Sequence, residues 1–289
     1  MGGRFDATNV IQPEVALLTA ISYDHMEVLG DTLTKIAGEK CGIIKPGCVC
    51  VSHPQLEEAA RVIDQECQAK AVPLIRVGRE VTRRETGHSF DHQNIEIKGR
   101  LGTYAVTIPL LGQYQLDNTA AAVAALEVLI QRKFKLTQAD ILKGLASVDF
   151  PGTMQIVGRN PFMVVDGGHN PGAAHNLQEA LKHYFKPAKT ILVIGVSNDK
   201  DLAGVVKELA PVSNLVIASR ANNPRSTKPE IIAAEFAKYG LTARLTTSIP
   251  EAVAQAKTMA GEHDLICITG SFFVVGEALA YIQGYSGNG

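Results

Sequence analysis

Residues 162–172, Phe162-Met163-Val164-Val165-Asp166-Gly167-Gly168-His169-Asn170-Pro171-Gly172, constrain the fold more than any other stretch. An apolar strand runs into a polar, glycine-containing turn, and Pro171 suits the first turn of a helix, where a missing N–H costs nothing. At the carboxyl end of such a strand Asp166 and His169 would project into a crevice. A carboxylate there can hold ribose hydroxyls, and a histidine can touch a phosphate or a polarised carbonyl. The local sequence equally allows Asp166 and Asn170 to do no more than cap the helix at 172–184.

The rest of the chain sets that motif in α/β material. At 289 residues it has room for two domains, and 46% hydrophobic content suits globular cores. With 28 basic against 29 acidic residues, no nucleic acid or anionic membrane is expected as a partner, so any phosphate binding must be local. No apolar run reaches the length of a membrane span, and the first residues lack the apolar core of a signal peptide, so cytoplasm is the expected location. Cys41, Cys48, Cys50, Cys67 and Cys267 form no paired C-x-x-C motifs, so reduced, buried thiols are expected rather than disulfides or zinc. In Cys48-Val49-Cys50 the alternating pair shares one strand face.

Residues 14–77 read as alternating strands (14–22, 48–52, 73–77) and helices (31–42, 55–69), the pattern of βαβ units with a parallel sheet. Short alternating segments at 94–98 and 103–108 predict an antiparallel hairpin appended to that sheet. Helices at 116–131 and 137–148 follow, the first alanine-rich and apolar enough to be buried. Pro151 and Gly152 mark the domain boundary, giving domains 1–149 and 150–289. Beyond it strands at 162–166, 190–196, 215–219, 243–247 and 265–269 alternate with helices, the signature of a Rossmann-like, doubly wound domain. Its strand ends should gather 166–171, 195–201, 220–225 and 270–271 into one crevice.

Three further polar clusters stand out: Gly2-Gly3-Arg4-Phe5-Asp6-Ala7-Thr8-Asn9, expected to be a loop; Ser22-Tyr23-Asp24-His25 at a strand end; and Glu39-Lys40-Cys41-Gly42 at a helix end. A strand-end histidine and a helix-end lysine suit a phosphate or metal site. In isolation a solvated turn histidine and a lysine favoured by the helix C-terminus explain them better.

Taken in order, these clusters change the weighing. With Leu29-Gly30, Ile36 through Gly47, Gly112-Gln113-Tyr114-Gln115 and Asn118, Asp199-Lys200-Asp201, Pro224-Arg225 and Thr269-Gly270-Ser271, the chain resembles the folylpolyglutamate synthase and dihydrofolate synthase branch of the Mur ligase superfamily over essentially its whole length. That resemblance implies a Mur-type central ATPase domain in the first half and a glutamate ligase domain in the second. It implies an ATP- and magnesium-dependent ligase that activates a carboxylate of folate or dihydropteroate as an acyl phosphate and joins it to L-glutamate. The implied partners are small molecules and the implied state is a monomer. Lys40, Asp166 and His169 form the implied catalytic set, with His25 and a carbamylated Lys40 on magnesium. Gln115 and Asn118 would face adenine, Asp166 the ribose, and His169 the phosphate and the incoming glutamate. Ser271 and Arg225 would lie at the glutamate site. For Asp199, Lys200 and Arg225 a plain surface salt bridge is an equal alternative.

The resemblance is also broken in places. No Gly-x-x-x-x-Gly-Lys-Ser/Thr run occurs in these residues, no glutamate precedes the Gly-Gly-Arg run, and Thr153 stands where the family has arginine. These departures predict an N-terminally truncated chain, incomplete for catalysis, with an open sheet edge from residue 15 outward and a first domain less stable than the second. A catalytically inactive nucleotide- or glutamate-binding module and another Mur-type amino acid ligase are the alternative functions.

Overall fold

The computed structural model describes residues 3–23 and 30–284. Two compact units divide the chain: Met1–Pro109 with Gln113–Asp149, and Leu110–Gly112 with Phe150–Gly289. Each unit has its own sheets and core. No helix among the described residues is long and apolar enough to cross a membrane.

In the first unit β1 (Val15–Leu18), β2 (Val49–Ser52) and β3 (Leu74–Arg76) form a parallel sheet in that order, with Ala16 opposite Cys50 and Cys50 opposite Leu74. Helices α1 (Leu33–Lys40) and α2 (Glu57–Ala69) cross between them. Thr32 starts α1 by accepting the Lys35 N–H, as an N-cap should. Ile36, Ala37 and Cys41 from α1 and its end meet Ala59, Ile63 and Cys67 from α2 over Ala16, Leu18, Cys48 and Cys50 of the sheet. All five cysteines are free and buried, four of them in this core, as small apolar side chains would be.

The predicted hairpin is the second part of a larger element. Strands β4 (Thr82–His88), β5 (Gln93–Lys98) and β6 (Thr103–Ile108) make a separate three-stranded antiparallel sheet rather than an appendage of the parallel one. The charged run Thr82-Arg83-Arg84-Glu85-Thr86-Gly87-His88 hides β4 from composition, because it has no fully buried position and owes its extension to pairing with β5. Helix α3 (Gln113–Gln131) supplies the apolar support with Leu116, Ala120, Val123, Ala124 and Val128. It also supplies a buried carboxylate, Glu127, that accepts the N–H groups of Arg100 and Leu101 and the Tyr104 hydroxyl at 2.8, 2.8 and 2.9 Å. Helix α4 (Gln138–Ala146) begins at a reciprocal capping box between Thr137 and Asp140.

In the second unit six strands lie in the order β11 (Ala243–Leu245), β10 (Leu215–Ala218), β9 (Thr190–Ile194), β12 (Leu265–Thr269), β8 (Phe162–Asp166), β7 (Gln155–Arg159). All neighbours are parallel except β7 on β8. β9 and β12 are buried throughout, as parallel strands covered on both faces must be. Helices α5 (Pro171–Tyr184), α6 (Leu202–Leu209), α7 (Pro229–Ala237), α8 (Ile249–Met259) and α9 (Phe272–Ile282) complete the winding. The antiparallel edge strand β7 was not legible in the sequence.

Candidate active site

The turn after β8 is held from inside. Asp166 sits opposite Thr269 of β12 and is only 6% exposed. Its Oδ1 accepts the Gly168 N–H and its Oδ2 the Met154 N–H, both at 2.8 Å. Burial pushes the carboxyl above its ordinary value, against the opposing pull of those two N–H groups and of His169. Asp166 is therefore a clamp on its own loop, while Asn170 alone caps α5, accepting the Ala173 N–H at 2.8 Å with Pro171 in the first turn.

His169 is half-buried, and its Nδ1 lies 3.1 Å from the Gly167 carbonyl oxygen. A carbonyl oxygen only accepts, so Nδ1 is the donor in this contact and Nε2 is the ring nitrogen left outside it. A Cβ on Gly167 would come within 2.6–2.8 Å of three Phe272 ring carbons, so a larger residue there requires the ring to shift.

The crevice anticipated from the sequence forms on the carboxyl ends of these strands. Gly195 donates to Thr269 O at 3.2 Å, and Gly270, at φ +108°, leaves room for the Gly195 carbonyl that any side chain would strike. Ser271 is 7% exposed and caps α9 by accepting the Val274 N–H at 3.2 Å, which leaves its own O–H to donate. Arg225 stands over the Phe273 ring at 5.9 Å, and its carbonyl accepts the Asn198 N–H at 2.7 Å. Lys200 lies 3.8 Å from Asp199, the salt bridge weighed as an alternative, and Asp201 caps α6 through Gly204. Asp166, His169, Ser271 and Arg225 are thus gathered at one edge of the second unit.

In the first unit the polar N-terminal run is laid on the turn after α1. It contains one short 3-10 turn, Ala7–Val10, where a loop was expected. Arg4 N donates to Glu39 O at 2.8 Å, and Asn9 Nδ2 reaches Arg4 O at 3.1 Å and Gly42 O at 3.2 Å. Lys45 Nζ then reaches Asn9 O at 2.6 Å. Lys40 ends α1 half-buried, and its ammonium makes no hydrogen bond or ion pair among the described residues. His25 lies outside the described residues. At the start of α3 the exposed Asn118 donates from Nδ2 to Oε1 of the buried Gln115 at 2.8 Å, and Arg83 grips Asp117 bidentately at 2.9 and 3.0 Å.

Comparison with known proteins follows the same two-part division. Residues 3–126 match the Mur ligase middle domain and residues 152–272 the Mur ligase glutamate ligase domain. The structure superimposes on Mycobacterium tuberculosis folylpolyglutamate synthase, crystallised with ADP and AMPPCP, with a TM-score of 0.88 at 30% identity, covering 99% of this chain and 67% of that one. The chain belongs to the Mur ligase superfamily, in its folylpolyglutamate synthase/dihydrofolate synthase branch. The dihydrofolate synthase/folylpolyglutamate synthase of M. tuberculosis is 33% identical over 246 residues, 81% of this chain and 50% of the relative. The folylpolyglutamate synthase of Lacticaseibacillus casei is 32% identical over 281 residues, 95% of this chain and 63% of the relative. Among curated relatives of this Mur ligase chain, the share it spans is 34%, 50% and 64% for three.

Three contributors to the crevice escaped the sequence reading: the Met154 amide, Phe272 and Phe273. The one available signal was the pair of phenylalanines directly after Ser271. At 51% and 47% exposed they are no part of the core.

Proposed function

We propose that this chain serves as an ATP- and magnesium-dependent ligase that adds L-glutamate to folate, extending tetrahydrofolate and also converting dihydropteroate to dihydrofolate. Residues 1–149 act as its ATPase domain and 150–289 as its glutamate ligase domain, in a cytoplasmic monomer. When bound, ATP supplies the phosphoryl group that turns the substrate carboxylate into an acyl phosphate.

The observation that carries this reading is the crevice of the second unit, where His169, Ser271 and Arg225 converge beside a clamped turn. Arg225 offers a fork for a glutamate carboxylate, and the Ser271 O–H a second donor. With Nδ1 occupied by the Gly167 carbonyl, Nε2 of His169 is the atom that takes a proton from the attacking amino group. The resemblance implies a ribose contact for Asp166; both of its oxygens accept loop N–H groups, which supports a role in holding the turn that carries His169. Asn118 and Gln115 offer an amide pair for adenine. The Lys40 amine, without a partner among the described residues, fits a group that becomes carbamylated, which would give magnesium the hard oxygen donor an ammonium cannot, with His25 as its companion.

A nucleotide- and glutamate-binding module without turnover is the second reading, favoured by the absence of a Gly-x-x-x-x-Gly-Lys-Ser/Thr run from these 289 residues. Incubating the purified chain with ATP, L-glutamate and either tetrahydrofolate or dihydropteroate separates them. ADP release that requires both glutamate and the pterin, with a glutamylated product by mass spectrometry, supports the ligase. AMPPCP binding without any ADP release supports the module.

A further inference from the structure

The opposite end of the second unit's sheet carries a cavity that the crevice around Asp166 does not use. It opens at the carboxyl ends of β10 and β11, has a volume of about 640 Å³, and is lined by Arg220, Lys228, Leu245, Thr246 and Glu230 among others. Three to four strand positions separate it from β8, roughly 14–19 Å at about 4.8 Å per strand. It lies beside β11, a three-residue edge strand, and its lining comes from the segments that precede and begin α7 and α8.

Its polar lining is unmatched. Thr246 is 3% exposed, yet its hydroxyl has no hydrogen-bond partner. A buried hydroxyl left unpaired is costly, and such groups ordinarily have a partner. Arg220 and Lys228 are exposed and form no ion pair among the described residues. Of the two lining carboxylates, Glu251 is committed to the Thr247 N–H and hydroxyl at 3.0 and 3.1 Å, and Glu230 stands exposed in the first turn of α7. Two unpaired cations and an orphaned hydroxyl call for an oxyanion. Glu230 beside them disfavours an extended polyanion and leaves room for a compact one.

We propose that this cavity is a separate oxyanion-binding subsite, taking a small molecule that bears a phosphate or a pair of carboxylates through Arg220, Lys228 and the Thr246 hydroxyl. It does not depend on the ligase reading. The loop that carries it, residues 219–228, also carries Arg225 to the Phe273 ring, so occupancy would be felt at the crevice.

Amide NMR of the full chain, titrated with inorganic phosphate in one arm and glutarate in the other, tests this. Saturable shifts centred on residues 219–231 and 245–248, reaching Phe273 through Arg225, are expected with at least one probe, and the tighter probe identifies the source of the oxyanion. Arg220→Gln and Lys228→Gln should each weaken binding about tenfold, the scale of one charge-assisted hydrogen bond. Thr246→Val, of the same shape, should weaken it while keeping the fold. No saturable shift with either probe at millimolar concentration would overturn the proposal. So would affinity unchanged in the Arg220→Gln, Lys228→Gln double variant with a wild-type far-UV spectrum.

Discussion

Met154 donates its backbone N–H to Oδ2 of Asp166 at 2.8 Å, twelve residues further along the chain. Met154 is 2% exposed and sits at φ +43°, a left-handed conformation that costs a non-glycine residue about 1–3 kcal/mol. The carboxylate offsets that cost by holding the boundary segment against the turn after β8. Asp166→Ala leaves the N–H groups of Met154 and Gly168 without acceptors and should destabilise the second unit by about 3 kcal/mol. Asp166→Asn, which keeps one acceptor, should cost less. Urea unfolding followed by circular dichroism measures the difference; equal midpoints for wild type and Asp166→Ala would remove the clamp from the account.

Gly167 and Phe272 should be energetically coupled. Gly167→Ala drives a Cβ into the ring and should destabilise by about 1–3 kcal/mol, whereas in a Phe272→Ala background the same change should cost little. A double-mutant cycle on thermal unfolding reads the coupling directly, and additive effects would contradict the packing described.

If His169 takes the proton as proposed, His169→Gln should lower kcat for glutamate addition by about 10²–10⁴ while leaving AMPPCP affinity nearly intact. Ser271→Ala should chiefly raise KM for glutamate. Steady-state kinetics with varied glutamate checks both, and a His169→Gln enzyme with wild-type kcat would exclude the assignment.

Glu127 accepts from two N–H groups of the turn at residues 99–102 and from the Tyr104 hydroxyl of β6, so its removal should alter titration as well as stability. Burial, reinforced by the Glu127 carboxylate, pushes the Tyr104 phenol up to about 12. Glu127→Gln should bring it part of the way back towards 10.0 in an ultraviolet difference titration. Glu127→Ala should destabilise the first unit by about 2–4 kcal/mol.

His53 gives the first unit a pH dependence. It is 6% exposed, its Nε2 has no hydrogen-bond partner, and burial lowers its pKa from 6.5 against the weaker pull of Asp117. A base with a depressed folded pKa must be charged in acid, and the unfolded chain takes the proton first. Stability is therefore retained above 6.5 and lost as pH falls through the lowered folded value. His53→Leu should flatten the fall in melting temperature between about pH 7 and about pH 5. An identical slope in the variant would assign the effect to other groups.

The elements most legible in the sequence were those whose own residues decide them. Phe162–Asp166 and Pro171–Tyr184 follow from a run of apolar residues, a cap at Asn170 and a proline in the first turn. Leu202–Leu209 lies where the strand–helix alternation put it, and the structure adds Asp201 as its cap. β4 and β7 were illegible because partners decide them: β4 is charged and half-buried, and β7 extends only by pairing with β8. At the crevice, residue types announced Asp166, His169 and Ser271. Local sequence could not tell which oxygen binds which amide: Asp166 turned inward to Met154 through a contact that no spacing rule encodes. Thr246 and Arg220 were silent for a related reason, since an unmet hydroxyl shows only once its surroundings are folded.

The grouping of Leu110–Gly112 with the second unit has a practical meaning for anyone dividing the gene. The Gly112 N–H donates to the Tyr184 hydroxyl of α5 at 3.2 Å. An expression clone opened at codon 150 discards that donor and its two neighbours, however cleanly it falls between periodic segments. Grafting residues 110–112 ahead of codon 150 on a short glycine linker should restore it. The pair of clones, with and without the graft, weighs a three-residue clip that no linear boundary can respect.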